Sequence, residues 1–130
     1  RNRRYRRRAA PFRRLTETVL TLARKGSGIF LGRAIDLILP REQGLRVALI
    51  ADWQYCAEQY AKRHDMPVQE AVKDIERQER DIVEFVQRHF RRVEADPSRF
   101  DLIINLEKLT REQAADLIVS NLRMRGIIHG

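Results

Sequence analysis

The stretch Arg77-x-x-Arg80-Asp81 contains the side chains best suited to chemistry in this sequence. Residues three and four apart are neighbours on an α-helix, so a helix here places two guanidinium groups beside a carboxylate. Arginine binds phosphate bidentately, and two arginines at positions i and i+3 can hold one polyphosphate. The spacing therefore indicates phosphate recognition on the polar face of a helix.

The same face has a second interpretation, as a solvated surface stabilised by ion pairs within the helix. The pairs would join residues four apart, namely Glu76 to Arg80 and Glu84 to Arg88. Runs of charge are usually solvated faces, so the spacing alone favours this second interpretation.

Arg33 is the other candidate for ligand binding. It follows Gly32 and the apolar run Ile29-Phe30-Leu31, which predicts a short buried strand. Ligands of open α/β sheets bind at the carboxyl ends of the strands, so Arg33 would face such a site. A surface arginine on a loop fits the sequence equally well.

The net charge of +8 is concentrated in residues 1–14, here called the basic arm. Of the 26 basic residues in the chain, eight lie in this arm, and the other 18 balance the 18 acidic residues that follow. The arm contains no acid, and its arginines are Arg1, Arg3, Arg4, Arg6, Arg7, Arg8, Arg13 and Arg14. Charge blocks of this kind are usually disordered or bound to an acidic partner. We therefore expect a flexible arm followed by one domain over residues 15–130.

Three interpretations of the basic arm remain open. It can bind the phosphates of a nucleic acid, with an affinity that falls steeply with salt. It can contact an acidic partner or another subunit, as in a homo-oligomer. It can also be the remnant of a longer segment, and this third interpretation is slightly favoured.

Apolar runs and helical patterns alternate along the chain and predict an α/β fold with a parallel sheet. Near-continuous apolar runs suit parallel strands buried on both faces. The three predicted strands lie at Ile29–Leu31, Leu45–Ile50 and Phe100–Leu106. A right-handed crossover and helices on both faces of the sheet are expected.

Four helical patterns flank these runs. The first follows Pro11, with Leu15, Val19, Leu20 and Leu22 on its apolar face. The second begins after Asp52, with Trp53, Cys56, Ala57, Tyr60 and Ala61 on one face. The third extends over about Val68 to Arg91, with an apolar stripe that includes Val72, Ile75, Ile82 and Val86. The fourth opens with a capping box from Thr110 to Gln113, and Ala114, Leu117, Ile118 and Leu122 are predicted to face the core.

Three segments in this order resemble the cytidylate kinase and cytidylate-kinase-like family over roughly residues 16–122. They are GIFLGRAIDLILP, LRVALIADWQYCAEQYAKRHDMPVQEAVKDIERQERD and PSRFDLIINLEKLTREQAADLIV. The resemblance implies a P-loop α/β fold with a helical lid over residues 52–92. It also implies phosphoryl transfer from ATP to CMP or dCMP with Mg²⁺.

The resemblance implies a role for each matching residue. Arg33 would bind the phosphate of the acceptor nucleotide. Arg77 and Arg80 would close over the transferred phosphate from the lid, as catalytic residues. Asp81 would orient an arginine or contact the acceptor. Arginines on a closing segment suit phosphoryl transfer, because that reaction depends mostly on positioning and charge neutralisation.

The chain departs from the family pattern at three points. None of its six glycines is followed by a Lys-Ser or Lys-Thr pair, so it has no Walker A loop and no identifiable ATP or Mg²⁺ site. Cys56 stands where the lid helix of the family carries an arginine, and Ala34 stands where cytidylate kinases have an aspartate. The fold is therefore expected to be incomplete at its N-terminus, with apolar sheet edges exposed. The alternative function is an inactive, kinase-like binding module that uses the basic arm.

The cysteine, the tryptophan and the histidines of the sequence are predicted to have structural roles. One cysteine, Cys56, excludes an internal disulfide and fits a reducing cytoplasm. Both Cys56 and Trp53 are predicted to pack in the core. His64, His89 and His129 have no metal-like spacing, so no metal site is predicted. No apolar run approaches the roughly 20 residues that cross a bilayer, so no membrane association is expected.

Overall fold

A computed structural model describes residues 2–26, 28–32, 34–90 and 96–129. The chain forms two compact units, Arg1–Gln43 and Gly44–Gly130.

Helix α1, Asn2–Arg24, accounts for most of the first unit. Its apolar stripe is only partly covered, since Val19 is buried whereas Leu15 and Leu22 are exposed. The helix begins at Asn2, well before the start predicted after Pro11, so the backbone of the basic arm is helical from that residue. A short 3-10 turn at Ile35–Leu37 completes the regular structure of this unit.

The predicted strand at Ile29–Leu31 is wrong. Residues 28–32 form no strand, and the side chains of Ile29 and Leu31 are 91% and 87% exposed. A strand is stabilised by backbone pairing and by side-chain burial, and this run between two glycines obtains too little burial to remain extended.

Two parallel strands, β1 at Val47–Ile50 and β2 at Leu102–Asn105, form the sheet of the second unit. Val47 pairs with Leu102 and Ile50 with Asn105, so the predicted parallel pairing of the later two runs is confirmed. Burial on both faces is not observed. Ile104 is buried, whereas Leu49, Ile50 and Ile103 are exposed, because a sheet of two strands offers too little surface to bury every apolar side chain.

Helices α2, Trp53–His64, and α3, Val68–Phe90, pack against each other as a helical hairpin. Their fully buried residues include Ala57 and Ala71, whose small side chains allow a close approach of the helices. Asp65 ends α2 in the left-handed region with φ 50°, and Pro67 precedes the first turn of α3. This hairpin is the predicted lid region, and residues 91–95 at its end lie outside the described part of the chain.

Trp53 is an exception to the predicted core of α2. Its side chain is 43% exposed because it occupies the first position of the helix, beyond the buried alanines. Cys56 is half-buried on the same helix.

Helix α4, Arg111–Met124, begins with the predicted capping box. The Thr110 hydroxyl accepts from the Gln113 N–H at 3.0 Å, and the Gln113 side chain accepts from the Thr110 N–H at 2.9 Å. Ala114 is buried and Leu117 is exposed, so the predicted core face of α4 is correct only in part. In the described ranges no helix has the length and apolar character needed to cross a membrane.

Arg125, just after α4, links the end of the chain to the start of the sheet. It donates to the carboxylate of Asp101 and to the carbonyl oxygen of Gly44, each at 3.2 Å. The same Asp101 carboxylate accepts the backbone N–H of Arg46 at 2.9 Å. A short 3-10 turn at Pro97–Arg99 leads into β2.

Candidate functional site

Helix α3 separates an apolar face from a charged face, as its sequence predicts. Ala71 and Val86 are fully buried on the apolar side. The predicted site residues Arg77, Arg80 and Asp81 are all exposed. At about 100° per residue they lie opposite Val86, so the structure brings these three side chains together on one solvent-facing surface.

Arg77 is held by an ion pair within its own helix. Its Nη2 atom donates to Oδ1 of Asp74 at 3.0 Å. The side chain of Arg77 is 66% exposed and that of Asp74 is 29% exposed. Exposed pairs of this kind contribute about 1 kcal/mol or less, so an incoming phosphate can compete for the Arg77 guanidinium.

The second carboxylate oxygen of Asp74 faces the neighbouring helix. The Tyr60 hydroxyl of α2 donates to Oδ2 of Asp74 in a long hydrogen bond of 3.5 Å. Gln78 donates in turn from Nε2 to the Tyr60 hydroxyl at 3.2 Å. The ring of Tyr60 also lies against that of His64, with centroids 4.2 Å apart. These contacts connect the Arg77 side of α3 to α2.

Asp74, Tyr60 and Gln78 are absent from the site predicted by sequence. The Asp-x-x-Arg spacing of Asp74 and Arg77 is a signal that could have identified Asp74, since residues three apart meet on a helix. No local signal identifies Tyr60, because its contact with Asp74 depends on how α2 packs against α3.

Arg80 and Asp81 differ from Arg77 in having no side-chain partner among the residues that the structure describes. The two alternative ion pairs, Glu76 with Arg80 and Glu84 with Arg88, do not form in this part of the chain. The face is therefore solvated, as the second interpretation has it, but its arginines are not neutralised by residues four positions away.

Arg33 lies outside the described residues, but the backbone on both sides of it is unusual. Gly32 has φ 144° and Ala34 has φ 69°. Positive φ is readily adopted by glycine and is uncommon for alanine. Ala34 is also buried, so the chain accepts this conformation inside the first unit. Gly32 and Ala34 therefore each adopt a backbone conformation that residues with a side chain rarely take.

Two acidic residues, Asp52 after β1 and Glu107 after β2, accept hydrogen bonds from backbone N–H groups. The carboxylate of Glu107 accepts the backbone N–H of Asp52, and the Glu107 N–H donates to the Asn105 side chain at 2.9 Å. The carboxylate of Asp52 accepts the N–H of Gln54 at 3.1 Å, which caps α2.

Cys56 lies within the field of these acids. Burial raises the pKa of the Cys56 thiol above its usual value, and the carboxylates of Asp52, Glu107 and Glu79 raise that pKa further. The thiol also donates to the Ala51 carbonyl oxygen at 3.7 Å. The position therefore holds a neutral thiol at pH 7 and supplies no positive charge.

Metal ligands are sparse in this arrangement. Across residues 2–26, 28–32, 34–90 and 96–129, no group of three or more His, Cys, Asp or Glu side chains could hold a metal ion. The charged face of α3 exposes arginines, whose guanidinium groups are suited to binding anions.

The model of the cytidylate kinase-like family matches residues 3–108. The chain belongs to the cytidylate kinase-like family. The match confirms the resemblance seen in the sequence. No curated protein matches the chain.

The part of the chain that matches the cytidylate kinase-like family contains every predicted site residue. It starts within the basic arm at Arg3 and ends at Lys108, before α4. It therefore includes Arg33 and the whole α2–α3 hairpin. Within the described residues, the two-stranded parallel sheet and four helices are compatible with the α/β fold of a cytidylate kinase-like protein.

Proposed function

We propose that this protein transfers a phosphoryl group from ATP to CMP or a related nucleoside monophosphate, with the α2–α3 hairpin as its lid, provided that the natural protein carries an ATP-binding loop, which this sequence lacks. The family membership supports a nucleotide kinase-like function. The observation that carries the proposal is the exposed face of α3, on which Arg77 and Arg80 lie one turn apart. Among the described residues, no glutamate four positions away forms an ion pair with an arginine of this face.

In the proposed reaction an oxygen of the acceptor's phosphate attacks the γ-phosphorus of ATP. A bond forms between that oxygen and phosphorus, the bond to the bridging oxygen breaks, and ADP leaves with the electron pair. Negative charge spreads over the equatorial oxygens of the transferred group. Arg77 and Arg80 neutralise that charge when the hairpin closes and excludes water.

The acceptor is held by the other two predicted residues. Arg33 binds its phosphate, as the family resemblance implies. Asp81 contacts the acceptor or orients an arginine, since it follows Arg80 directly on the charged face. Mg²⁺ is expected to accompany ATP in this family. The described side chains offer no cluster that could hold a metal.

The test is phosphoryl transfer from ATP to CMP by the natural full-length protein, after its intact mass has been measured against the 15.4 kDa of this sequence. Arg77→Ala and Arg80→Ala are expected to reduce kcat by roughly 10³-fold or more, the scale of an arginine that stabilises transferred phosphate. Arg77→Lys and Arg80→Lys are expected to restore little, because lysine lacks the bidentate fork.

Arg111→Ala is the matched control. Arg111 is also exposed and also lies on a helix of the second unit, but it is not on the charged face of α3. Equal losses in all three alanine variants, or no loss in the α3 variants, would count against the lid assignment.

A second candidate function is phosphate or acidic-partner binding by the basic arm without catalysis. It is favoured by the concentration of the whole net charge of +8 in residues 1–14. Binding of a single-stranded oligonucleotide would then fall steeply between 50 and about 200 mM salt. It would be insensitive to Arg77→Ala and Arg80→Ala, which separates this candidate from the kinase.

A further inference from the structure

The carboxylate of Asp74 is shared between Arg77 on its own helix and Tyr60 on the neighbouring helix. Oδ1 accepts from Arg77 at 3.0 Å and Oδ2 accepts from the Tyr60 hydroxyl at 3.5 Å. The Tyr60 hydroxyl accepts a hydrogen bond from Gln78 at 3.2 Å, which directs its own proton toward Asp74. The three contacts therefore form one connected set.

We propose that Tyr60 and Asp74 are positioning residues for Arg77, and that they fix its guanidinium for binding the transferred phosphate. This inference rests on the proposed function, since it assigns a purpose to the orientation of Arg77. Neither residue touches the phosphate itself. Tyr60 acts through Asp74, and Asp74 acts through Arg77.

The energetic argument starts from the exposure of Arg77. A long side chain that is 66% exposed loses rotamer entropy when it binds a ligand. An ion pair with a freely moving carboxylate would restrict it little. Asp74 is less exposed than Arg77, and its second oxygen makes a long hydrogen bond to another helix, so this carboxylate is more restrained than a free surface carboxylate.

Tyr60 is itself restrained on α2. Its ring lies 4.2 Å from that of His64, one turn later on the helix, and its side chain is half-buried. The orientation of Arg77 consequently depends on the packing of α2 against α3. Correct assembly of the hairpin and correct placement of the arginine are coupled through one hydroxyl group.

Tyr60→Phe is the decisive variant, because it removes that hydroxyl and leaves the ring and all charges in place. Tyr55→Phe is the matched control, since Tyr55 is also half-buried on α2 and makes no side-chain hydrogen bond within the described residues. In the ATP-to-CMP assay, Tyr60→Phe is expected to lower kcat about tenfold with an unchanged KM for CMP. Tyr55→Phe is expected to change neither.

A second readout does not depend on catalysis. In ¹⁵N-labelled protein, the guanidinium N–H resonances of Arg77, identified by their loss in Arg77→Ala, report rotation about the Nε–Cζ bond. Sodium tripolyphosphate is the probe for phosphate binding. We expect restricted rotation in the wild type and in Tyr55→Phe, faster rotation in Tyr60→Phe, and weaker binding of tripolyphosphate by Tyr60→Phe alone.

The outcomes separate the two proposals. If the wild type transfers no phosphate but Tyr60→Phe frees the Arg77 guanidinium and weakens tripolyphosphate binding, the kinase function fails and the positioning role stands. If Tyr60→Phe leaves both the Arg77 resonances and tripolyphosphate binding unchanged, the positioning role is overturned. An equal effect of Tyr60→Phe on tripolyphosphate binding in an Arg77→Ala background would also overturn it, because Tyr60 would then act on hairpin structure and not through Arg77.

Discussion

The backbone N–H of Asp52 donates a hydrogen bond to the carboxylate of Glu107, which joins the residue before α2 to the segment that follows β2. Asp52 also caps α2 through its own carboxylate, which accepts the Gln54 N–H at 3.1 Å. The end of the sheet and the beginning of the hairpin therefore share one residue. A side-chain change at Asp52 removes the cap and leaves the backbone N–H that binds Glu107.

Replacement of Asp52 by alanine is expected to lower the free energy of unfolding by about 1 kcal/mol, because the first turn of α2 loses its cap. Asp52→Asn keeps a capping oxygen and should retain most of that stability. Gln59→Ala, an exposed change in the same helix, should have little effect. Urea unfolding followed by circular dichroism measures all three, and equal stability of Asp52→Ala and the wild type would show that the cap is unimportant.

Gly32 is expected to resist substitution because of its backbone conformation. Its φ of 144° is rarely adopted by residues with a side chain, and a Cβ there would lie 3.0 Å from Cδ1 of Ile35. Gly32→Ala should therefore cost about 1–3 kcal/mol. If Arg33 binds the acceptor, the same variant should raise KM for CMP.

Gly28→Ala provides the control within the same loop. Gly28 has no positive φ, and a Cβ there would meet only Cε2 of Phe30, at an ordinary contact distance of 3.8 Å. It should leave stability unchanged or raise it by less than about 1 kcal/mol. Urea unfolding of both variants decides the matter, and an equal loss in both would mean that the turn at Gly32 is not restrictive.

Local patterns predicted the elements of the second unit well. The Thr110 capping box, the start of α2 after Asp52 and the positions of the two strands all depend on neighbours in the sequence, and the structure has each of them. The charged face of α3 was predictable for the same reason, because the helical period alone places Arg77 beside Arg80.

The features that sequence reasoning missed depend on contacts between distant parts of the chain. Ile29–Leu31 has the composition of a strand, but composition does not supply the burial that a strand needs. Trp53 was expected in the core from its type, and its place at the first turn of α2 leaves it exposed. The bond from Tyr60 to Asp74 exists only because two helices pack together, so no local pattern indicates it.

Cys56 is expected to react slowly with iodoacetamide at neutral pH. Burial and the carboxylates of Asp52, Glu107 and Glu79 raise the pKa of its thiol, and the thiolate is the reactive form. As the sole cysteine it gives a single, countable product by mass spectrometry. The folded protein should be alkylated more slowly at pH 7.5 than the urea-unfolded protein. Its alkylation rate should still be rising above about pH 8.5, the ordinary pKa of a thiol.

The raised pKa of Cys56 also has a consequence for stability. The folded state keeps the thiol proton to higher pH than the unfolded state does. The stability that the protonated thiol contributes is therefore complete below about pH 8.5, and it is lost as the pH rises through the pKa that Cys56 has in the folded state. Glu79→Gln should lower the pKa of Cys56 in part, since burial remains, and speed alkylation at pH 7.5. Glu76→Gln, an exposed change one turn earlier on α3, should not.

His89 is expected to make the second unit less stable in mild acid. Burial lowers the pKa of His89, and the neighbouring Arg88 lowers it further. Its ring lies 4.8 Å from that of Phe85, centroid to centroid. In the unfolded chain the His89 imidazole has an ordinary pKa of about 6.5. The folded state therefore holds this imidazole neutral at a pH where the unfolded chain binds a proton.

The sign of the effect follows from the depressed pKa. The contribution of His89 to stability is present above about pH 6.5. It is lost as the pH falls through the pKa that His89 has in the folded state, because protonation then favours the unfolded state.

Urea unfolding at a series of pH values should show this loss in the wild type and a smaller loss in His89→Gln. Arg88→Gln should raise the pKa of His89 in part, as measured by NMR titration, whereas Lys73→Gln, at an exposed position nearer the start of α3, should leave it unchanged. If His89→Gln loses as much stability in acid as the wild type, another group causes the acid sensitivity.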